Sequence, residues 1–229
     1  DGAVVYQSVR GDAYHAALHQ LRALGRVYPC ACSRREIADS ALSGIEGAVY
    51  PGTCRNGLAS EKNARAWRID TRGADIAFND ALQGEIRQNL ETAIGDFVLY
   101  RADRVYAYQL AVTVDDAEQG ITDIVRGADL LDSTPRQIFL QQMLKLPTPR
   151  YMHVPVAVNA AGEKLSKQTH APAIDAANPM PSLVSALRFL GHEPPRELAA
   201  ASVQALWQWA VAAWRGGQIP RSRRLSVRQ

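Results

Sequence analysis

Residues 106–131 read YAYQLAVTVDDAEQGITDIVRGADLL, and this stretch combines two periodicities. Its first part has the apolar spacing of a short helix that ends at Gly120, whereas Ile121 to Val125 form an apolar run of strand length. Arg126 and Gly127 follow, where such a strand would open into a loop. Ligands of open α/β sheets bind at this carboxyl end of the strands. The stretch therefore predicts a sheet edge that carries an arginine.

Arg126 is the first candidate binding residue. Its planar guanidinium can make two parallel charge-assisted hydrogen bonds, which suits a carboxylate or a phosphate. An arginine after a strand is also typical of a solvated surface, so this residue alone does not identify a site.

A second motif, EKLSKQ, occupies residues 163–168. Lys164 and Lys167 flank a serine in a loop that contains Gly162. Two flexible ammonium groups of this kind can follow phosphate charge as it moves during a reaction. The five residues Lys164 to Gln168 are a weak signal in isolation, but their position after Arg126 and after the apolar run Val154 to Val158 favours a phosphate-binding loop.

The two motifs, in this order, resemble the class I glutamyl-tRNA synthetases, whose lysine signature reads Lys-Met-Ser-Lys-Ser. Leu165 replaces the methionine with similar volume, and Gln168 replaces the last serine with another hydrogen-bonding side chain. The resemblance runs from about Val5 to His170. It is greatest to the branch that lacks an anticodon-binding domain and glutamylates queuosine in tRNA(Asp). Only 62 residues follow Lys167, and domains usually need about 100, which favours this branch.

The resemblance implies an α/β fold: a Rossmann-like class I core, N-terminally incomplete, with a zinc-containing antiparallel insertion and a helical C-terminal region. It divides the chain into four segments. Residues 1–29 and 108–150 belong to the core, residues 30–107 form the insertion, and residues 151–229 contain the signature loop and the helical region.

The resemblance also implies a reaction, in which L-glutamate is activated by ATP with Mg²⁺ and then transferred to queuosine in tRNA(Asp). It aligns Tyr108 and Arg126 with the glutamate contacts of the family; a core aromatic is the alternative for Tyr108. Lys164 and Lys167 correspond to the catalytic lysines. The ATP-binding signature loop corresponds to Lys164, Leu165, Ser166, Lys167 and Gln168.

The cysteines of the chain are Cys30, Cys32 and Cys54. An odd, clustered set argues against a disulfide framework and for a metal site or free thiols. The family's zinc site includes a Tyr-x-x-x-Cys pair, which Tyr50 and Cys54 match. The resemblance thus implies one structural zinc held by Cys30, Cys32, Tyr50 and Cys54, and buried free thiols are the alternative.

Period-2 patterns between residues 66 and 108 predict the antiparallel insertion. In the family this insertion touches tRNA, so its arginines are candidate RNA contacts; a solvated sheet face is the alternative. These arginines are Arg72, Arg87, Arg101 and Arg104.

Amphipathic spacing predicts helices over Gly11 to Leu24 and Glu197 to Trp214, and a capping box at Ser33 to Glu36 predicts a helix over Ile37 to Leu42.

The family carries a His-Ile-Gly-His-like phosphate-binding signature ahead of the segment that corresponds to the first helix, Gly11 to Leu24. No counterpart of this signature occurs in these 229 residues. We expect a shortened chain that lacks these donors beside the ATP phosphates. Two alternatives follow: an RNA-binding module without chemistry, and a fragment of an ordinary glutamyl-tRNA synthetase.

Composition is that of a soluble globular protein, with 47% hydrophobic and 21% charged residues. No apolar run approaches the roughly 20 residues of a membrane span, and no signal peptide opens the chain, so we expect a cytoplasmic monomer without membrane contact. The net charge is +3, and the last fifteen residues carry five arginines and no acid. This basic tail is typical of an RNA contact or of a solvated terminus.

Overall fold

The computed structural model describes residues 2–40, 43–45, 47–59, 61–169 and 171–227, with their side chains except those of Arg34, Asp39, Ser40 and Lys167. Within this part of the chain the α-helices are α1 (Gly11–Ala23), α2 (Arg34–Ser40), α3 (Leu90–Ala93), α4 (Tyr108–Glu118), α5 (Thr134–Leu144), α6 (Met180–Phe189) and α7 (Val203–Ala213). The strands are β1 (Val27–Cys30), β2 (Ser43–Gly44), β3 (Gly47–Ala48), β4 (Ala66–Ile69), β5 (Asp75–Asp80), β6 (Gly84–Asn89), β7 (Val98–Tyr100), β8 (Asp123–Gly127), β9 (Arg150–Val154), β10 (Val156–Val158) and β11 (Arg224–Ser226). No helix among these residues is both long and apolar enough to cross a membrane.

The chain forms two compact units. The first unit comprises Asp1–Phe78, Glu85–Ile124 and Asp132–Arg150, and the second unit comprises Asn79–Gly84, Val125–Leu131 and Tyr151–Gln229. The predicted division into four segments stays a prediction.

The first unit contains an antiparallel sheet of order β1-β4-β7, in which Val27 lies opposite Ile69 and Trp67 opposite Tyr100. Helix α1 buries Tyr14, Leu18 and Leu21, because side chains three and four positions apart share one helix face. The predicted helix over Gly11 to Leu24 is confirmed to within one residue. The predicted helix over Ile37 to Leu42 begins earlier, at Arg34, and its last two residues lie outside the described part of the chain.

Helix α4 and strand β8 confirm the helix-then-strand prediction, with a shift of two residues at the strand. Gly120 adopts a left-handed conformation (φ 65°), and the amide of Ile121 donates to the Asp116 carbonyl at 2.9 Å. These residues complete the helix cap, so the strand begins only at Asp123. It ends at Gly127, and Arg126 therefore lies in its last two residues.

Asp115 of α4 is the polar centre of the helical part of the first unit. Its buried carboxylate accepts hydrogen bonds from the Tyr14 hydroxyl (2.8 and 2.9 Å), the Arg10 Nε (2.6 Å) and the Gln7 amide (2.9 Å). Asp115 thus fastens α4 to α1 and to the segment that precedes it.

In the second unit, the consecutive strands β9 and β10 precede the lysine loop. Strand β10 pairs in parallel with β11, and Val156 lies opposite Arg224. Helices α6 and α7 share an apolar core of Val184, Leu187, Leu206 and Ala210. The predicted helix over Glu197 to Trp214 is wrong in its first third, which contains a 3₁₀ turn at Arg196–Ala200. The chain is extended at Ala201 and restarts as α7 because the Ser202 hydroxyl caps the amide of Ala205 at 3.2 Å.

We expect Asp115→Ala to lower the free energy of unfolding by about 2 kcal/mol, because it leaves the buried Tyr14 hydroxyl without its acceptor. Urea unfolding followed by circular dichroism measures the change. The matched control is Asp12→Ala on α1, whose exposed side chain should contribute less than about 1 kcal/mol. Equal losses in the two variants would show that the Asp115 network contributes nothing beyond its charge.

Candidate active site

Cys30, Cys32, Cys54 and Tyr50 meet in the first unit. The three sulfur atoms lie within 4.8 Å of one another, and the Cys32 and Cys54 sulfurs are 3.6 Å apart. The Tyr50 hydroxyl lies 3.4 Å from the Cys30 sulfur and 3.6 Å from the Cys32 sulfur. The structure therefore brings together the four side chains that the sequence proposed as one ligand set.

The spacing of these atoms fits a tetrahedral zinc ion. Zn–S bonds of about 2.3 Å and a Zn–O bond of about 2.0 Å separate two sulfurs by about 3.8 Å and a sulfur from the oxygen by about 3.5 Å. The observed separations of 3.6 Å, and of 3.4 and 3.6 Å, match these edges. Burial raises the pKa of the Cys32 thiol to about 11, so metal binding at neutral pH would have to displace a proton.

The surroundings of this cluster supply a compensating charge. The Arg68 Nε donates to the Cys30 sulfur at 3.3 Å, and the guanidinium carbon lies 4.0 Å from the centre of the Tyr50 ring. Arg68 is itself anchored by the Asp96 carbonyl at 2.7 Å. Three thiolates around a divalent ion would carry a net charge of about −1, which this buried guanidinium offsets.

Asp96 holds the protein around the cluster in place. Its fully buried carboxylate accepts from the Arg55 Nε (2.6 Å), the Thr71 amide (2.8 Å) and the Tyr28 hydroxyl. Arg55 follows Cys54, and Tyr28 packs beside Cys30. This residue was missed by sequence reasoning, because its partners are far away along the chain.

Tyr108 is the first residue of α4 in the first unit, and its side chain is 50% exposed. The alternative of a buried core aromatic is therefore wrong. Its predicted convergence with Arg126 on one amino acid stays a prediction.

Arg126 is half-buried at the end of β8 in the second unit, and its Nε donates to the His153 Nε2 at 3.0 Å. The other ring nitrogen, Nδ1, donates to the Asp80 Oδ2 at 2.6 Å. His153 and Asp80 both have fully buried side chains. The guanidinium carbon also lies 5.6 Å from the centre of the Tyr151 ring. Arg126 is thus part of a built polar cluster rather than a solvated surface residue.

The lysine loop of the second unit is a tight turn that follows β10. The Asn159 side-chain oxygen accepts from the amides of Ala161 (3.0 Å) and Glu163 (2.9 Å), and Leu165 donates to the Ala157 carbonyl at 2.9 Å. After the turn, Gln168 donates its amide to the Ser166 hydroxyl at 3.2 Å, and residues 167–169 form a 3₁₀ turn. The side chain of Lys167 lies outside the described part of the chain.

Lys164 and the loop after Arg126 meet within the second unit. The Lys164 ammonium contacts the Asp129 carboxylate at 2.5 Å, and both side chains are partly exposed. A Cβ atom at Gly127 would lie 2.4 Å from the Asp129 Oδ1, so the absence of a side chain at Gly127 leaves room for the Asp129 carboxylate beside the strand end. The structure therefore places Gly127 and the first signature lysine beside one carboxylate.

The arginines of the insertion differ in their partners. Arg72, Arg87 and Arg101 each contact an aspartate, namely Asp70, Asp75 and Asp103, as an ion pair with a largely exposed arginine. Arg101 and Arg104 also line a cavity of about 380 Å³ with Arg65, Trp67 and Tyr100. The Arg22 guanidinium carbon lies 4.1 Å from the centre of the Trp67 ring. This basic and aromatic groove of the first unit has the side chains that contact RNA in other proteins.

A family model for the catalytic domain of class I tRNA synthetases (E and Q) matches residues 1–198. The chain belongs to this family. A protein of Aromatoleum aromaticum named glutamyl-Q tRNA(Asp) synthetase is 55% identical to it over 221 residues, which are 96% of this chain and 70% of that protein. A protein of the same name from Chromobacterium violaceum is 56% identical over 220 residues, 96% of this chain and 73% of its own length. The predicted family of aminoacyl-tRNA ligases is confirmed.

Two solved structures share the fold of this family member. They are a glutamate-tRNA synthetase from Elizabethkingia anophelis and a glutamate tRNA ligase from Elizabethkingia meningosepticum, each with a TM-score of 0.71 and 19% sequence identity. The match covers 96% and 99% of this chain, and the chain spans about half the length of theirs, 52% in each case. At this identity the likeness concerns the fold alone, and it confirms the mixed α/β class I catalytic fold.

We expect the stability of the protein to fall between pH 6.5 and 5 through His153. Burial, together with the nearby charge of Arg126, lowers the pKa of His153, although Asp80 acts in the opposite direction. The unfolded imidazole binds a proton below about pH 6.5 while the folded one stays neutral, which lowers the free energy of unfolding by up to about 1.4 kcal/mol per pH unit.

Urea unfolding at pH 7 and pH 5.5 measures this slope. The variant His153→Gln should have a shallower slope than the wild type, whereas Gln20→Ala, which changes an exposed side chain of α1 without a titratable group, should keep the wild-type slope. Identical slopes in all three proteins would show that His153 does not titrate differently in the folded state.

Proposed function

We propose that the chain activates L-glutamate with ATP and transfers the glutamyl group to queuosine in tRNA(Asp). The names of the relatives in Aromatoleum aromaticum and Chromobacterium violaceum support these substrates. The single observation that carries the proposal is Arg126. It is a guanidinium at the end of a strand, held through its Nε, in the same unit as a lysine loop that contacts the carboxylate three residues further on.

The first step is an attack of a glutamate carboxylate on the α-phosphorus of ATP. A new O–P bond forms, the bond to pyrophosphate breaks, and glutamyl-adenylate results. The carboxylate is ionised at neutral pH, with a pKa of about 4, so no general base is needed. Catalysis then rests on alignment and on neutralisation of phosphate charge. When bound, Mg²⁺ supplies further neutralisation of the ATP phosphates.

The residues of the chain divide this work. Arg126 binds a carboxylate of glutamate through its planar fork, and Tyr108 donates a hydrogen bond to the same amino acid. Lys167, assisted by Lys164 within the loop Lys164 to Gln168, stabilises the negative charge of the pentacoordinate α-phosphate. In the second step, a hydroxyl of the queuosine ring attacks the activated carbonyl, and AMP leaves.

The basic and aromatic groove of the first unit supports the tRNA part of the proposal. Its arginines suit phosphates, and Trp67 and Tyr100 offer aromatic faces on which bases stack. The same groove favours the second candidate function, an RNA-binding module without chemistry.

We also propose a cytoplasmic location for the chain, with which a tRNA substrate is consistent.

The cysteine cluster serves the proposal as a structural site. We propose that Cys30, Cys32, Cys54 and Tyr50 hold one zinc ion, since three of the separations between their donor atoms are close to those of a tetrahedral site and Arg68 balances the charge. A closed site with four protein ligands would fasten β1 to the segment around Tyr50 and Cys54.

We expect Arg126→Lys in the intact protein to raise the KM for L-glutamate by roughly 100-fold in ATP–pyrophosphate exchange. Lysine keeps the charge but cannot make two parallel hydrogen bonds to one carboxylate. The matched control is Arg150→Lys, which changes an exposed arginine paired with Asp123 at 2.7 Å and should leave the KM unchanged.

Wild-type exchange that does not depend on glutamate would refute the proposed activation. Transfer of glutamate to tRNA(Asp) with queuosine, compared with the same tRNA without it, then tests the acceptor. Retention of tRNA without any exchange would instead favour the RNA-binding module.

We expect one zinc ion per chain in protein purified without chelators, measured by plasma mass spectrometry. Cys32→Ser should lose nearly all of the metal, and Tyr50→Phe should weaken zinc binding by roughly 10-fold, since it keeps the three thiolates. Tyr6→Phe is the matched control: it removes the hydroxyl of an exposed tyrosine outside the cluster, so the zinc content should stay at the wild-type value. Metal-free wild-type protein with three titratable thiols would favour buried free cysteines.

A further inference from the structure

Asp80 is a buried hydrogen-bonding centre of the second unit. Its Oδ1 accepts the backbone amides of Leu82 (3.1 Å), Gln83 (2.8 Å) and His153 (3.2 Å). Its Oδ2 accepts the His153 Nδ1 at 2.6 Å. With these four contacts, both oxygens of the carboxylate have partners in the protein, and the side chain is shielded from water.

These partners decide the protonation of His153. A carboxylate only accepts, so the Nδ1 must carry a proton, and the Arg126 Nε only donates, so the Nε2 must be bare. The imidazole is therefore neutral, with its proton on Nδ1. The ring is stacked beside Tyr151, at a centroid distance of 6.1 Å and an angle of 15°, which leaves it little freedom to rotate.

We infer that Asp80 and His153 are positioning residues that set the plane of the Arg126 guanidinium and thereby the affinity for the glutamate carboxylate. This inference rests on the proposed function. A hydrogen bond at Nε fixes the rotation of the planar fork, because the fork is rigid around the central carbon. A fork that is already oriented loses less conformational entropy when it binds a planar ligand.

The charges support the same arrangement. The groups that face His153 include the carboxylates of Asp80 and Asp129, the guanidinium of Arg126 and the ring of Tyr151. Burial lowers the pKa of His153, which favours the neutral ring required between Asp80 and Arg126. The negative charge of Asp80 and the positive charge of Arg126 then compensate each other across a neutral imidazole.

The decisive variant is Asp80→Asn in the intact protein. The side-chain oxygen of asparagine can still accept the three backbone amides, whereas its NH₂ group now faces the His153 Nδ1. The imidazole then has to move its proton to Nε2, where it meets the N–H of the Arg126 Nε. We expect the dissociation constant for L-glutamate to rise roughly 10- to 100-fold, while that for ATP changes less than about twofold.

Isothermal titration calorimetry with L-glutamate and, separately, with ATP measures both constants. The matched control is Asp75→Asn on the same strand, whose carboxylate is exposed and pairs with Arg87. It should keep the wild-type affinity for glutamate. Unchanged glutamate affinity in a folded Asp80→Asn protein would overturn the inference.

Nitrogen-15 spectra of the histidine side chains test the arrangement without any ligand. Wild-type His153 should have its proton on Nδ1, and Asp80→Asn should have it on Nε2. A wild-type His153 that is protonated on Nε2, or on both nitrogens at pH 7, would overturn the inference. If the wild type binds no glutamate, the proposed function and the glutamate role fail together, while these spectra still decide whether His153 connects Asp80 to Arg126.

A second pair of variants covers the case in which Asp80→Asn does not fold. His153→Gln carries an amide oxygen that can accept from Arg126, whereas His153→Leu has no acceptor. We expect His153→Gln to bind glutamate at least about fivefold more tightly than His153→Leu. Equal affinities for glutamate in these two variants would contradict the positioning role.

Discussion

The buried carboxylate of Asp80 accepts hydrogen bonds from three backbone amides and one imidazole. The need of this carboxylate for hydrogen-bond donors organises the second unit. A carboxylate removed from water is tolerated only when its oxygens are hydrogen-bonded. The turn after β5, the strand β9 and, through His153, the end of β8 are therefore held to one another. Asp96 has the same part in the first unit, where it gathers Arg55, Thr71 and Tyr28 around the cysteine cluster.

The hydrogen bonds around Asp80 hold Arg126 in place but do not involve Lys164, and this difference suits the proposed chemistry. Arg126 sits on a strand and is held through a buried ring, so it suits a ligand group that keeps its charge throughout the reaction. Lys164 lies on a turn, is more than half exposed, and reaches Asp129 through an exposed contact that water and salt can weaken. A lysine so placed can move with the phosphate charge, whereas the arginine stays in place.

Local patterns predicted much of the fold. The capping box at Ser33 and Glu36 is present, with the Glu36 side chain accepting from the Ser33 amide at 2.7 Å, because both partners lie within one turn. The helix of residues 108–118 and the stop at Gly120 were predicted from spacing and from the left-handed preference of glycine. The predicted start of the strand was wrong by two residues, because Gly120 and Ile121 belong to the helix cap. Hydrophobic periodicity does not show which residues a cap uses. The C-terminal helix was predicted too long, since its apolar spacing continues through a segment that the Ser202 cap interrupts.

The sequence by itself determined which residues are proposed for the chemistry: the arginine at a strand end, the two lysines of one loop, and three cysteines with a tyrosine. These signals are local, or known from the family, and they need no knowledge of packing. Only the tertiary structure decided how those residues are held. Asp80 and His153 are 73 positions apart, and nothing in either neighbourhood indicates the other. They meet because a buried carboxylate must find donors, and the donors that the fold brings to it include the ring that orients Arg126.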